Sequence, residues 1–333
     1  MDGASRPSQR QSFFRTLFIS PSEPRLRAGW RILLHAGLTL FLTLAAAFPV
    51  GFALLLVGGL SFSDSDPGLP LLSALSSLLG ALPATFVARR VLDRRSFRSL
   101  GLSLDRSTVL DLAVGFAVSG IMLTSIYGIE AGAGWLRFDE WAWRSASAGT
   151  VIAGTFVWLI IFVAVGIQEE IFSRGYQLQN LIDGLGIWPG LLLSSLLFGL
   201  LHIANPNSVW YQTLPGILAA GLFLAYGWLR TRRLWLPIGL HIGWNFFEGT
   251  VFGFPVSGVG GFRLIRQHVL GPEWITGGAF GPEAGLVVLP ALCLGAALVW
   301  LWTRSRNAAA LSPETRRDGG PSLGNTPSRA GLE

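Results

Sequence analysis

Long apolar runs separated by short polar connections dominate this chain. Runs near 31–59, 69–88, 109–129, 150–172, 188–204, 214–229, 234–254 and 284–303 carry little charge. Crossing about 30 Å of hydrocarbon takes roughly 20 apolar residues in a helix, so each run is a candidate span, the fifth and sixth being short. Nothing in them alternates as the strands of a barrel do, and backbone in lipid must satisfy its own hydrogen bonds, so helices are predicted. The pattern therefore predicts an all-α polytopic membrane protein, a bundle of about eight transmembrane helices. The first run follows about thirty polar and basic residues and is too long for a signal-peptide core, so it counts as a membrane helix.

Composition agrees. Hydrophobic residues make up 51% of the 333-residue chain and charged residues 13%, against roughly 25% charged in soluble domains. The net charge of +6 comes from 25 arginines, with no lysine, against 19 acids. The arginines are patchy. They gather before the first run, between the second and third (Arg89 to Arg106), after the sixth (Arg230, Arg232, Arg233) and from Arg304 onward. Only Arg137, Arg144, Arg263 and Arg266 fall on the opposite side. That distribution reads as topology rather than nucleic-acid binding, and it predicts both termini in the cytoplasm of a multi-pass inner (plasma) membrane protein. A single cysteine, Cys293, excludes internal disulfides and cysteine metal clusters. The arm S-F-F-R-T-L-F-I (12–19) reads either as a surface helix burying Phe13, Phe14 and Leu17 in lipid, or as a flexible segment. The Pro-, Gly-, Ser- and Arg-rich tail from about 308 reads as disordered.

Chemistry concentrates in three apolar stretches. In the first, Glu169 and Glu170 interrupt the run from Val151 to Gly175. Acids at this depth are costly to bury and mark functional sites. Four residues separate Glu170 from Arg174, a spacing that pairs them on one helix face. Glu169 points about 100° away and is free to face a polar cavity and polarise a water. The second stretch ends F-G-L-L-H-I-A-N-P-N, placing His202 on the face of Phe198, with Asn205 and Pro206 closing the helix. The third, W-L-P-I-G-L-H-I-G-W-N, puts His241 and Asn245 on one face, where ring and amide N–H groups suit an oxyanion. Gly239 and Gly243 permit close helix approach there. His35 and His268 have no acidic companion at useful sequence spacing. Together these groups supply what is needed to hydrolyse an amide without a covalent nucleophile. Counting depth along single helices puts Glu169 and His241 in the cytoplasmic half and His202 nearer the outer half. A fourth helix running past Tyr176, or a fifth starting deep in the bundle, reconciles them. An enclosed, water-filled cavity open to the cytoplasm is expected.

The three stretches resemble the CPBP family of intramembrane proteases, which includes CAAX prenyl protease 2, lysostaphin resistance protein A and Abi-type proteins. The family's E-E-x-x-x-R, F-x-x-x-H and H-x-x-x-N/D motifs read here as Glu169-Glu170-Ile171-Phe172-Ser173-Arg174, Phe198 to His202, and His241 to Asn245. The resemblance implies that Glu169 and His202 activate water while His241 and Asn245 stabilise the tetrahedral intermediate. Glu170, Arg174 and Phe198 would support them. It also implies a catalytic core at 149–254, flanked by a cytoplasmic arm (1–28), N-terminal transmembrane helices (29–148), an outer loop with the last span (255–307) and the tail (308–333).

Two cofactor readings stand: a glutamate-activated water with no resident metal, which is favoured, and a zinc site of Glu169, His202 and His241 with an open water position. The H-E-x-x-H pattern of soluble zinc proteases is absent. The expected partners are membrane lipids and a membrane-associated peptide or protein substrate. Two readings compete with the protease: a non-catalytic scaffold or bacteriocin immunity factor, and a proton-coupled transporter that buried acids and histidines would also suit.

Overall fold

Apolar sequence forms a helix at every expected run. The computed structural model describes residues 15–20, 25–58 and 67–310. The N-terminal helices are α1 (Ala28–Leu56), α2 (Gly68–Val91) and α3 (Arg106–Gly132). Next come α4 (Ala148–Glu170), α5 (Leu178–Leu185), α6 (Ile187–His202) and α7 (Trp210–Thr231). The last two are α8 (Trp235–Asn245) and α9 (Val288–Ala310). A π-helical turn, Ile171–Gln177, joins α4 to α5, and a second, Phe246–Val251, extends α8. Five of these are long and apolar enough to cross a membrane: α1, α2, α3, the continuous Ala148–Leu185 and α7. Two shorter apolar helices accompany them, Ile187–His202 and Val288–Arg304.

Local chemistry sets the boundaries. Asp105 caps α3 by accepting from Ser107 N at 2.8 Å, while Thr108 Oγ1 accepts from Asp105 N at 3.2 Å. Arg233 donates to both oxygens of Asp105 and holds its carboxyl below the usual carboxylate range. Ser147 caps α4 through Thr150 N. Gly186 (φ 86°) separates α5 from α6, and Arg232 (φ 56°) ends α7 in a left-handed turn.

Helix α8 is the axis of the bundle. Every residue from Leu236 to Asn245 is buried, so the segment needs no polar face. Its glycines allow the approach expected of them. A Cβ on Gly239 would lie 2.4 Å from Leu112 O, and one on Gly243 would lie 2.7 Å from Phe116 Cα. Gly115 makes the reciprocal contact from α3. Around this axis Met122, Leu123 and Ile126 of α3 pack with Leu236, Leu240, Val288 and Ala291. A second core joins Leu100, Ile171, Leu178, Trp228, Ile238 and Ile242.

At the arginine-rich end, buried Asp93 ties three helices together. It accepts from Arg31 Nη1 of α1 at 2.7 Å, Arg89 Nη1 of α2 at 2.8 Å and Asn180 Nδ2 of α5 at 3.3 Å. Arg31 and Arg89, part of the arginine surplus at this end, are therefore also structural ion-pair partners, and Arg174 forms the pair with Glu170 expected from their spacing. The opposite end carries a small antiparallel sheet, β1 (Leu136–Trp141) with β2 (Ile265–Val269), in connections read above as loops. Across it His268 Nε2 lies 3.1 Å from Asp139 Oδ2, so this histidine does have an acidic partner, one that only strand pairing brings near. Arg137 and Arg266 lie on these strands. In the N-terminal arm, Leu17 is exposed and Phe18 stacks on Trp30 at 5.0 Å, while Phe13 and Phe14 lie outside the described residues. The tail from 311 lies outside them too.

Candidate active site

The helix bearing Glu169 and Glu170 does not stop at the charges. Through the π turn it runs on to Leu185, 38 residues in all. Both acids therefore sit near the middle of a long helix, level with the end of α6, and the apparent depth conflict with His202 disappears. The turn also widens the helix at a functional position, as π-helical insertions commonly do.

The two acids differ in surroundings. Glu170 is fully buried, and its Oε1 accepts from Arg174 Nη1 at 2.8 Å and from His241 Nδ1 at 2.8 Å. The Arg174 guanidinium lies 4.0 Å over the Phe198 ring and donates to Gly221 O at 3.3 Å. Glu169 keeps 24% of its side-chain surface. Its Oε2 lies 3.7 Å from His241 Nε2 and 4.0 Å from His202 Nε2, and it has no hydrogen-bond partner among the described residues.

Second contacts fix both imidazoles. Phe198 O accepts from His202 Nδ1 at 2.8 Å, and a carbonyl only accepts, so Nδ1 carries the proton. His241 Nδ1 likewise donates to the Glu170 carboxylate. Each ring thus turns Nε2 toward Glu169 Oε2. Gaps of 3.7 and 4.0 Å are too long for hydrogen bonds.

These groups open into a cavity of about 420 Å³ with mainly apolar walls. Glu169, His202, His241, Asn245 and Phe198 all line it, whereas Glu170 and Arg174 stand behind His241 and Phe198. The cavity follows α4 through Val165, Phe162 and Trp158 to the sheet-bearing face, where Leu69 and Val259 border it. An opening toward the arginine-rich end is expected from the sequence, but among the described residues none of the cavity's lining residues comes from that end. That side is filled by the buried Ile171, Tyr176, Leu178, Leu100 and Leu234. Among the described residues, no group of three or more His, Cys, Asp and Glu side chains is spaced to hold a metal ion.

Sequence reasoning missed Glu283, which lines the same cavity from the connection before α9. A single acid in a Gly- and Pro-rich loop gives no periodic signal. Glu130 and Glu248 are also fully buried, and Glu248 faces Trp244 and Glu283.

No curated protein and no solved structure matches the chain. Residues 151–247 match the family model described as type II CAAX prenyl endopeptidase Rce1-like. All three motifs lie inside that stretch. The match covers under a third of the chain and is consistent with the resemblance of these motifs to the CPBP family.

Proposed function

We propose that the protein is an intramembrane endopeptidase that hydrolyses a peptide bond of a membrane-associated peptide or protein with a Glu169-activated water. The observation that carries this reading is the convergence of His241 Nε2 and His202 Nε2 on Glu169 Oε2, at 3.7 and 4.0 Å, in the wall of an apolar cavity. Glu169 takes a proton from the water, and the oxygen attacks the scissile carbonyl. His202, its free nitrogen toward the same point, shares the proton and returns it to the leaving amine. Asn245 and His241, when the ring carries a proton on Nε2, donate to the oxyanion that forms. Glu170 orients His241 as a carboxylate orients an imidazole in other hydrolytic sites, and Arg174 holds Glu170.

In this proposal the reaction runs without a resident metal. Two ligands at 2.0–2.1 Å from a tetrahedral zinc stand roughly 3.4 Å apart. The observed separations from Glu169 Oε2 are 3.7 and 4.0 Å. Were a zinc ion to bind, Glu169, His202 and His241 would be its ligands. The apolar walls suit a lipid-embedded or lipid-modified substrate in the plasma membrane, with both termini of the enzyme in the cytoplasm. The test is a quantitative comparison of membrane-associated peptides in cells carrying the wild type and Glu169→Ala. The proposal expects specific precursors to accumulate in the variant and their cleaved forms to vanish. Identical peptide populations at equal protein levels would refute it.

A further inference from the structure

Beyond the segment that matches the family, one carboxylate binds to both halves of the site. Glu283 sits in a 3₁₀ turn, Pro282–Ala284, in the connection between β2 and α9. Its Oε1 accepts from Trp244 Nε1 at 3.0 Å. Its Oε2 accepts from Ser257 N at 3.0 Å and from Ser257 Oγ at 2.6 Å. Glu283, Trp244 and Ser257 all line the reaction cavity. Trp244 lies between His241 and Asn245 in α8, so fixing the indole fixes the rotation of that helix where both groups emerge.

Ser257 reaches the other half. It belongs to a tight turn in which Val256 and Val259 exchange backbone hydrogen bonds at 2.9 Å. Its backbone is left-handed (φ 47°), a conformation that costs a non-glycine residue and needs outside support. Glu283 supplies that support by accepting both the N–H and the O–H. From the far side, Asn205 Nδ2 donates to Ser257 O at 3.3 Å and Asn207 Nδ2 donates to Gly258 O at 3.1 Å. Gly258 is pressed so tightly on the same segment that a Cβ would lie 1.8 Å from Pro206 O. Asn205 follows His202 by three residues. Phe280 and Ala284, flanking Glu283, pack with Phe198, whose carbonyl holds His202.

We infer that Glu283 is a positioning residue of the reaction centre: it clamps the Val256–Val259 turn across the sheet-bearing end of the cavity. In doing so it sets His241 and Asn245 against His202. The inference deepens the protease reading and rests on it for the meaning of the site, while its test does not require turnover. The chain has four histidines, so ¹⁵N-histidine labelling of the purified full-length protein in lipid nanodiscs gives a resolvable set of ring signals. Glu283→Ala is expected to move or broaden the His202 and His241 signals by more than a linewidth while those of His35 and His268 stay in place. Glu283→Gln keeps one acceptor oxygen, which can serve Trp244 or the two Ser257 donors but not both sides. It should return one of the two signals, His241 or His202, toward its wild-type position and leave the other displaced.

Unmoved His202 and His241 signals in Glu283→Ala, or equal movement of all four, would overturn the inference. If Glu283→Ala does not fold, Glu283→Gln and Ser257→Ala decide, and unmoved His202 and His241 in both contradict it. Ring signals that respond as expected in a protein that cleaves nothing would leave the clamp standing and remove the protease reading.

Discussion

Glu169 and Glu170 are neighbours in sequence and opposites in environment. Glu170 is enclosed by Arg174 and His241, so replacing it strands a buried guanidinium and leaves the imidazole without its orienting partner. Glu170→Ala should lower stability by about 3–5 kcal/mol, the usual cost of breaking a buried ion pair by removing one side. Thermal unfolding in detergent checks this, and Glu169→Ala is expected to unfold close to wild type. Activity should follow a different order. Glu169→Ala and His202→Ala each remove a proton-transfer group and should slow cleavage by about 10²–10⁴-fold. The difference between the acids was legible in sequence because a helix turns about 100° per residue. Their partnership with His241 was not, because seventy-one positions of chain separate that histidine from Glu170. Glu283 was invisible for the same reason: its partners Trp244 and Ser257 meet it only through folding of the last connection.

At the scale of elements, the glycine pattern of α8 makes a sharp prediction. Gly243 faces the α3 backbone at Phe116, with no flexible side chain there to yield. Gly243→Val should therefore push α3 and α8 apart and cost about 1–3 kcal/mol or more, as overpacking does. A lower unfolding temperature together with loss of cleavage is the expected result, while Gly37→Val, with open space around its Cβ, serves as control. Helix positions were readable because uninterrupted apolar runs leave the backbone few alternatives in lipid. The π turn at Ile171–Gln177 was not, since nothing in I-F-S-R-G-Y-Q breaks a helix by propensity alone. The strands β1 and β2 escaped for a related reason. Each is short and half polar, and their pairing joins connections about 130 residues apart.

Considered whole, the molecule has an arginine-rich end closed by the Asp93 network and a sheet-bearing end that the cavity approaches. Asp93→Ala should loosen α1 from α2 and α5, because it leaves Arg31 and Arg89 buried without their anion. Limited proteolysis with a lowered unfolding temperature would register it. The surplus of arginine at that end predicts a cytoplasmic location. A fluorescent reporter fused after residue 333 should accordingly mature, and a periplasm-dependent phosphatase fused at the same point should stay inactive. The opposite pair of results would invert the orientation. Charge placement along the sequence predicts the orientation, but not which end of the bundle the cavity approaches. That depended on α4 continuing beyond its acids and filling the arginine-rich end.

The central claim is that one hydrolytic water is held between Glu169, His202 and His241. Its most direct measurement uses purified protein in proteoliposomes mixed with membrane peptides from cells carrying Glu169→Ala, with new peptide termini counted by mass spectrometry. Wild type should generate a defined set of termini, and Glu169→Ala and His202→Ala, folded to the same unfolding temperature, should generate none. Equal cleavage by wild type and either variant would contradict the account.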